Sequence, residues 1–240
     1  MPINAINDKT VLVTGSNRGL GAALAAEALA RGASRVYAGT RGPLSESGDR
    51  LTPVRLDVTS AADIEAAASH VGALDLLVNN AGIALPDDPT DPAAVERHLA
   101  VNLFGTWAVT RAFLPALVRS GGAIVNILSV NALAPLPFVI PAYSVSKAAA
   151  LSLTQSLRAQ LAGRGVTVHA VLAGPIDTDI LRGIDIPKAA PATVASAIFD
   201  GLDDGQEEIF PDPASAPLAG LWRQGAAKLL ERQLAAAPAR

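Results

Sequence analysis

Lys9-Thr-Val-Leu-Val-Thr-Gly-Ser-Asn-Arg-Gly-Leu-Gly21 runs from a short apolar stretch into a glycine-rich loop and straight on into the Ala/Leu-rich stretch Ala22 to Arg31. The order predicts strand, loop, helix. Gly15, Gly19 and Gly21 permit a tight turn and a close backbone approach, and the first turn of a helix leaves unpaired N–H groups for a pyrophosphate. The loop residues Ser16, Asn17, Arg18 and Leu20 therefore become candidate cofactor contacts along with the three glycines.

Outward from this segment, strand and helix patterns alternate. Arg35 to Gly39, Pro53 to Leu56, Leu74 to Val78, Ala123 to Leu128, Val166 to Leu172 and Glu208 to Phe210 read as strands. Ala93 to Arg119, Tyr143 to Leu161, Pro191 to Leu202 and the amphipathic Leu218 to Leu234 read as helices. Such alternation predicts an α/β protein with a doubly wound parallel sheet, a Rossmann fold with helices on both faces. Half of the 240 residues are apolar and only 4% aromatic, so the core must be packed from Ala, Val, Leu and Ile. No linker or charge block divides residues 1–240, which are expected to form a single domain.

The charge of -3 leaves no basic footprint for nucleic acid. With no cysteine there is no disulfide, thiolate metal site or Cys nucleophile. His70, His98 and His169 lie without ligand-spaced partners, so no metal site is expected. Met1 to Lys9 does not read as a signal peptide and no apolar stretch is read as a membrane span, so a cytoplasmic protein with no membrane partner is expected.

The second strand closes at Thr40-Arg41, where a dinucleotide fold meets the adenosine ribose. An acid there selects NAD, whereas Arg41, with Arg18 from the glycine loop, suits the 2′-phosphate of NADP. Asp57-Val58 ends the third strand, and a capping box at Ser60 to Asp63 leaves Asp57 to accept from adenine. Asn79-Asn80-Ala81-Gly82 is a turn at the sheet edge, and Asn102 is a polar residue inside a helical pattern that disfavours it. Ser129 ends a strand at the carboxyl edge, where α/β sheets place ligands. Tyr143 and Lys147 stand one helical turn apart, a phenol beside an ammonium that favours its ionised form, and Ser129 can share the oxygen that Tyr143 protonates. Ala173-Gly174-Pro175-Ile176-Asp177-Thr178 is a further turn at a strand end.

Thr14-Gly15-x-x-x-Gly19-x-Gly21, Asp57, Asn79 to Gly82, Asn102, Ser129, Tyr143-x-x-x-Lys147 and Gly174-Pro175 with Thr178 together resemble the short-chain dehydrogenase/reductase family over nearly the whole chain. The resemblance implies Tyr143 as general acid/base, Lys147 as the group that lowers its pKa and holds the nicotinamide ribose, Ser129 as carbonyl donor and Asn102 as a water-relay position. It also implies NADP(H) as hydride carrier and a homo-dimer or homo-tetramer paired through the two long helices. Two departures stand out: the interval from Ser129 to Tyr143 is one residue longer than usual, and the lid segment between Thr178 and Pro191 is short.

The leading expectation is an NADP-dependent oxidoreductase of a small-molecule ketone or secondary alcohol. A reductase of carrier-bound 3-oxoacyl groups and a noncatalytic NADP-binding sensor or scaffold are the alternatives. The stretches Val130 to Ala142 and Ile176 to Pro187 bring Leu133, Leu136, Phe138, Val139, Ile140, Ile180, Leu181, Ile184 and Ile186, a wall suited to an uncharged apolar or aromatic substrate. Asp177, Asp179, Arg182 and Asp185 would supply a more polar wall instead.

Overall fold

The computed structural model describes residues 6–42, 48–85, 91–135 and 141–235. Leu136, Phe138, Val139 and Ile140 of the expected apolar wall lie outside the described residues. Seven parallel strands form one sheet in the order β3-β2-β1-β4-β5-β6-β7. They are β1 Thr10–Thr14, β2 Arg35–Thr40, β3 Leu51–Arg55, β4 Leu76–Asn79, β5 Ala123–Ile127, β6 Thr167–Val171 and β7 Glu208–Ile209. The order reverses between β1 and β4, and that crevice at the carboxyl ends is where such sheets hold ligands.

Side chains alternate along each strand, which feeds two cores. Val11, Val13, Leu76, Val78 and Val125 pack against α1 (Gly19–Ala30) and α6 (Pro191–Asp203). Leu12, Leu77 and Ile124 face the other way, toward α2 (Ala61–Val71), α4 (Thr106–Ser120) and α5 (Pro141–Leu161). Buried on both faces, the central strands are largely apolar, as a parallel sheet requires, and polar residues within them such as Asn79, Asn126 and His169 are hydrogen-bonded. β3 begins at Leu51, two residues before its expected start, and Pro53 is tolerated because β3 is an edge strand.

Two expected helices are interrupted. The stretch Ala93 to Arg119 becomes α3 (Pro92–Leu99), a π-helical turn at Ala100–Gly105, and α4. This run is long and apolar enough, by length and composition alone, to cross a membrane, which corrects the reading that no stretch has that length. In the fold Val109, Phe113 and Leu117 bury one of its faces on the sheet. Leu218 to Leu234 is broken by the extended backbone of Gly225 into α7 (Leu218–Gln224) and α8 (Ala226–Ala235). α8 turns its charged face inward: Lys228, 1% exposed, pairs with Glu207, Glu208 and Glu231, while Leu229, Leu230 and Leu234 face outward.

Candidate active site

The glycine loop closes over the end of β1 because it carries no side chains where the chain must fold back. Gly15 and Gly19 hold φ of +67° and +55°, and a Cβ on Gly21 would lie 2.2 Å from the Gly15 carbonyl oxygen. Asn80 locks this turn to the end of β4, its Nδ2 donating to the carbonyls of Thr14 at 2.9 Å and Gly15 at 3.2 Å. The Thr14 hydroxyl accepts from the N–H groups of Asn80 and Ala81. Arg18 stands at the N-cap of α1 with no side-chain cap, and Asn17 is exposed beside it. Ser16 spends its hydroxyl on the carbonyls of Val13 and Gly39, and Leu20 and Val58 turn their side chains into the two cores.

The two arginines expected to share a 2′-phosphate hold different partners. Arg18 pairs with Asp179, which also binds Arg182, whereas Arg41 lies at the end of β2 within electrostatic reach of Asp57. Thr40 is buried and closes the turn by exchanging hydrogen bonds with both backbone groups of Gly42. The capping box is also only half formed. Ser60 accepts from the N–H of Asp63, but the Asp63 carboxylate reaches back to the N–H of Asp57. Asp57 uses one oxygen on the N–H and hydroxyl of Thr59, bonds that hold its carboxyl below the usual range.

Ser129, Tyr143 and Lys147 come together at the carboxyl ends of β5 and β6. The Ser129 hydroxyl stands close enough to the Tyr143 phenol to oppose the effect of burial on it, and accepts from the N–H of Asn131 at 3.2 Å. Lys147 is buried beneath, its Nζ donating to the Ile127 carbonyl at 2.8 Å and lying 5.7 Å from the centre of the Tyr143 ring. Gly82 passes close to Asn102: a Cβ there would sit 3.2 Å from Asn102 Oδ1, and at ordinary contact distance, 3.6 Å, from Nζ. The expectation that the ammonium draws the phenol pKa down does not hold in this arrangement. Burial raises Tyr143, with Ser129 opposing it, and burial lowers Lys147 to about 8. Loss of hydration outweighs attraction because the ammonium faces a carbonyl rather than the phenol oxygen.

Asn102 sits in the π-helical turn with its side-chain oxygen and nitrogen both engaged. Oδ1 accepts from the N–H of Ile83, and Nδ2 donates to the Ile83 carbonyl and to Ser146 Oγ, each at 2.9 Å. His98, one turn earlier, donates from Nδ1 to the Ala94 carbonyl and accepts the Leu85 N–H on Nε2. Together they pin residues 83–85 beside Tyr143. His98 and Ser146 were not among the expected site residues, although His98 lies four residues before Asn102 and Ser146 three after Tyr143. Gly174, Pro175, Ile176 and Thr178 form the turn after β6, and the Thr178 methyl would lie 3.2 Å from a Cβ on Gly19. The turn thus reaches from the loop after β5, through the bond from Val130 N–H to Ala173 O, to the glycine loop.

The family model of short chain dehydrogenases matches residues 9–188. The chain belongs to the short-chain dehydrogenase family. It is 38% identical over 208 residues to the short chain dehydrogenase tazN of Aspergillus terreus, a match that covers 78% of this chain but only 44% of that protein. It is 31% identical to the oxidoreductase UcpA of Salmonella typhimurium, over 85% of this chain and 88% of the relative. A crystal structure of a short chain dehydrogenase from Burkholderia cenocepacia in complex with NADP superposes with a TM-score of 0.86 at 39% identity, covering 97% of this chain and 99% of that one. Short-chain dehydrogenases are oxidoreductases of alcohol and carbonyl groups, built on a fold that takes a nicotinamide cofactor. The glycine loop, which has no side chains to block a close approach and opens onto the uncapped first turn of α1, fits such a cofactor in this dehydrogenase.

Proposed function

We propose that this dehydrogenase interconverts an uncharged, apolar or aromatic ketone and its secondary alcohol with NADP(H). The observation that carries the reading is the meeting of Ser129, Tyr143 and the buried Lys147, whose Nζ lies 5.7 Å from the centre of the Tyr143 ring. Bound, the nicotinamide supplies or accepts the hydride. Ser129 donates to the carbonyl oxygen and orients it. Tyr143, kept protonated by burial, gives that oxygen its proton, and in oxidation takes one back. Lys147 loses hydration in its pocket and stands ready to bind the ribose. Asn102 acts as a positioning residue through Ser146, and its Oδ1, which accepts one bond from Ile83, keeps a second lone pair for a water relay.

The preference for NADP(H) is supported by Arg41 at the end of β2, where no acid repels a 2′-phosphate, and by the NADP bound to the Burkholderia relative. The apolar substrate is supported by the described part of the wall. Ile180 and Ile184 are exposed there, and Asp179 is neutralised by Arg18 and Arg182. A homo-oligomer is supported by Phe104, Trp107 and Val145, all exposed on the faces of the two long helices. Steady-state rates with matched ketones, with and without a carboxylate, test the substrate class with NADPH and NADH in parallel. The reading expects the uncharged ketone and NADPH to win. A charged ketone or a carrier-bound 3-oxoacyl group favoured tenfold or more in kcat/KM would overturn it, and no turnover with any of them would favour the noncatalytic alternative.

A further inference from the structure

We propose that Asp212 is a positioning residue for the nicotinamide end of the cofactor site. It lies 38 residues after the turn it serves, between Pro211 and Pro213, and is 4% exposed. Neither proline has an N–H, so the carboxylate is left to other donors. Its Oδ2 accepts from the N–H of Gly174 and the hydroxyl of Ser215, both at 2.7 Å, and its Oδ1 accepts from the N–H groups of Ala214 at 3.0 Å and Ser215 at 3.1 Å. All four donors are neutral, and among the described residues no Lys or Arg pairs with it. A buried carboxylate held this way has exchanged water for N–H and O–H groups at fixed positions.

Three of those donors are local, but the fourth ties it to the site. The peptide unit joining Ala173 to Gly174 is gripped at both ends: its N–H by Asp212, and its C=O by the N–H of Val130 at 3.0 Å. Val130 follows Ser129. Gly174 must be glycine for this approach, since a Cβ there would lie 2.6 Å from Asp212 Oδ1 and 2.9 Å from Ala214 Cβ. One carboxylate therefore fixes the plane of a peptide from which the Ser129 loop hangs on one side and the turn to Thr178 on the other. A dinucleotide running from the glycine loop to Ser129 and Tyr143 must pass along that turn. The inference rests on the nicotinamide reading of the site, not on the choice between NADP and NAD.

Asp212→Asn keeps the shape but presents a donor where Gly174 or Ser215 also donates. Binding is followed by fluorescence of the reduced cofactor that wild type prefers, and by competition with its adenosine half, 2′,5′-ADP for NADPH or AMP for NADH. The variant is expected to weaken the whole cofactor about tenfold, the size of a lost hydrogen bond to a charged group, and to leave the adenosine half within about twofold. Ser215→Ala, which removes one donor and keeps the charge, is expected to give a smaller loss of the same pattern, and it decides the matter if Asp212→Asn does not fold. Equal weakening of both ligands, or no weakening, would overturn the inference. Wild type that binds neither reduced cofactor would instead overturn the function proposed above.

Discussion

Asn102 Nδ2 lies 2.9 Å from Ser146 Oγ, and that hydroxyl donates in turn to the carbonyl of Tyr143 at 2.7 Å. The π-helical turn is thereby fastened to the helix that carries the reactive phenol. Asn102→Ala would strand the N–H and C=O of Ile83 and remove the donor to Ser146 Oγ, which keeps its own bond to Tyr143. A loss of about 2–4 kcal/mol in urea unfolding is expected, against about 1 kcal/mol for Ser146→Ala. Equal losses for the two variants would refute the clamp.

Tyr143→Phe should cut turnover by far more than tenfold, that is by more than about 1.4 kcal/mol, and leave cofactor binding unchanged. Because burial raises the phenol, oxidation, which needs the phenolate, should accelerate as pH rises, while reduction should not. A phenylalanine variant that keeps a tenth of the wild-type rate would remove Tyr143 from the proton transfer.

The lowered pKa of Lys147 has a signature in stability. Between its native value of about 8 and the ordinary 10.5, the unfolded chain holds a proton that the native state has released. Stability therefore rises with pH across that window, by about 3 kcal/mol if Lys147 acts alone. Urea unfolding at pH 7, 9 and 10 should show this rise in wild type but not in Lys147→Met. Parallel curves would mean that the ammonium keeps its proton.

Arg41→Ala should raise the dissociation constant for NADPH about tenfold, a charged contact to phosphate, and leave that for NADH within about twofold. Thr40→Asp should swing preference toward NADH by repulsion, with some loss of stability because Thr40 is buried in its turn. Equal kcat/KM of the native enzyme with the two cofactors would contradict both.

Light scattering at micromolar concentration should give a dimer or larger for wild type. Trp107→Glu, which puts a charge on the exposed face of α4, should give a monomer. A wild-type monomer would exclude the proposed pairing.

Much of this was legible because period and punctuation carry it. The glycine loop, the strand end at Thr40 and the pair Tyr143/Lys147 are local patterns, and local patterns survive folding, whereas β5 ends at Ile127, two residues before Ser129. What escaped depends on contacts between distant segments. Nothing near Asp212 announces Gly174, and nothing near Arg18 announces its pair with Asp179, 161 residues away. The phenol pKa was misjudged for a similar reason: spacing shows that Lys147 is near, but not that Ile127 takes its Nζ or that both groups are dry. The break at Gly225 had a glycine to mark it, but the π turn had no marker except Asn102.

That π turn also sets the phase of everything after it. Each helical residue advances the chain by about 100°, so deleting one residue between Ala100 and Gly105 would rotate α4 by that angle relative to α3. Val109, Phe113 and Leu117 would swing off the sheet while Asn102 and His98 stayed in place. The extra residue lets one continuous helix address the site in one angular frame and the core in another. Length is therefore constrained there more tightly than residue identity.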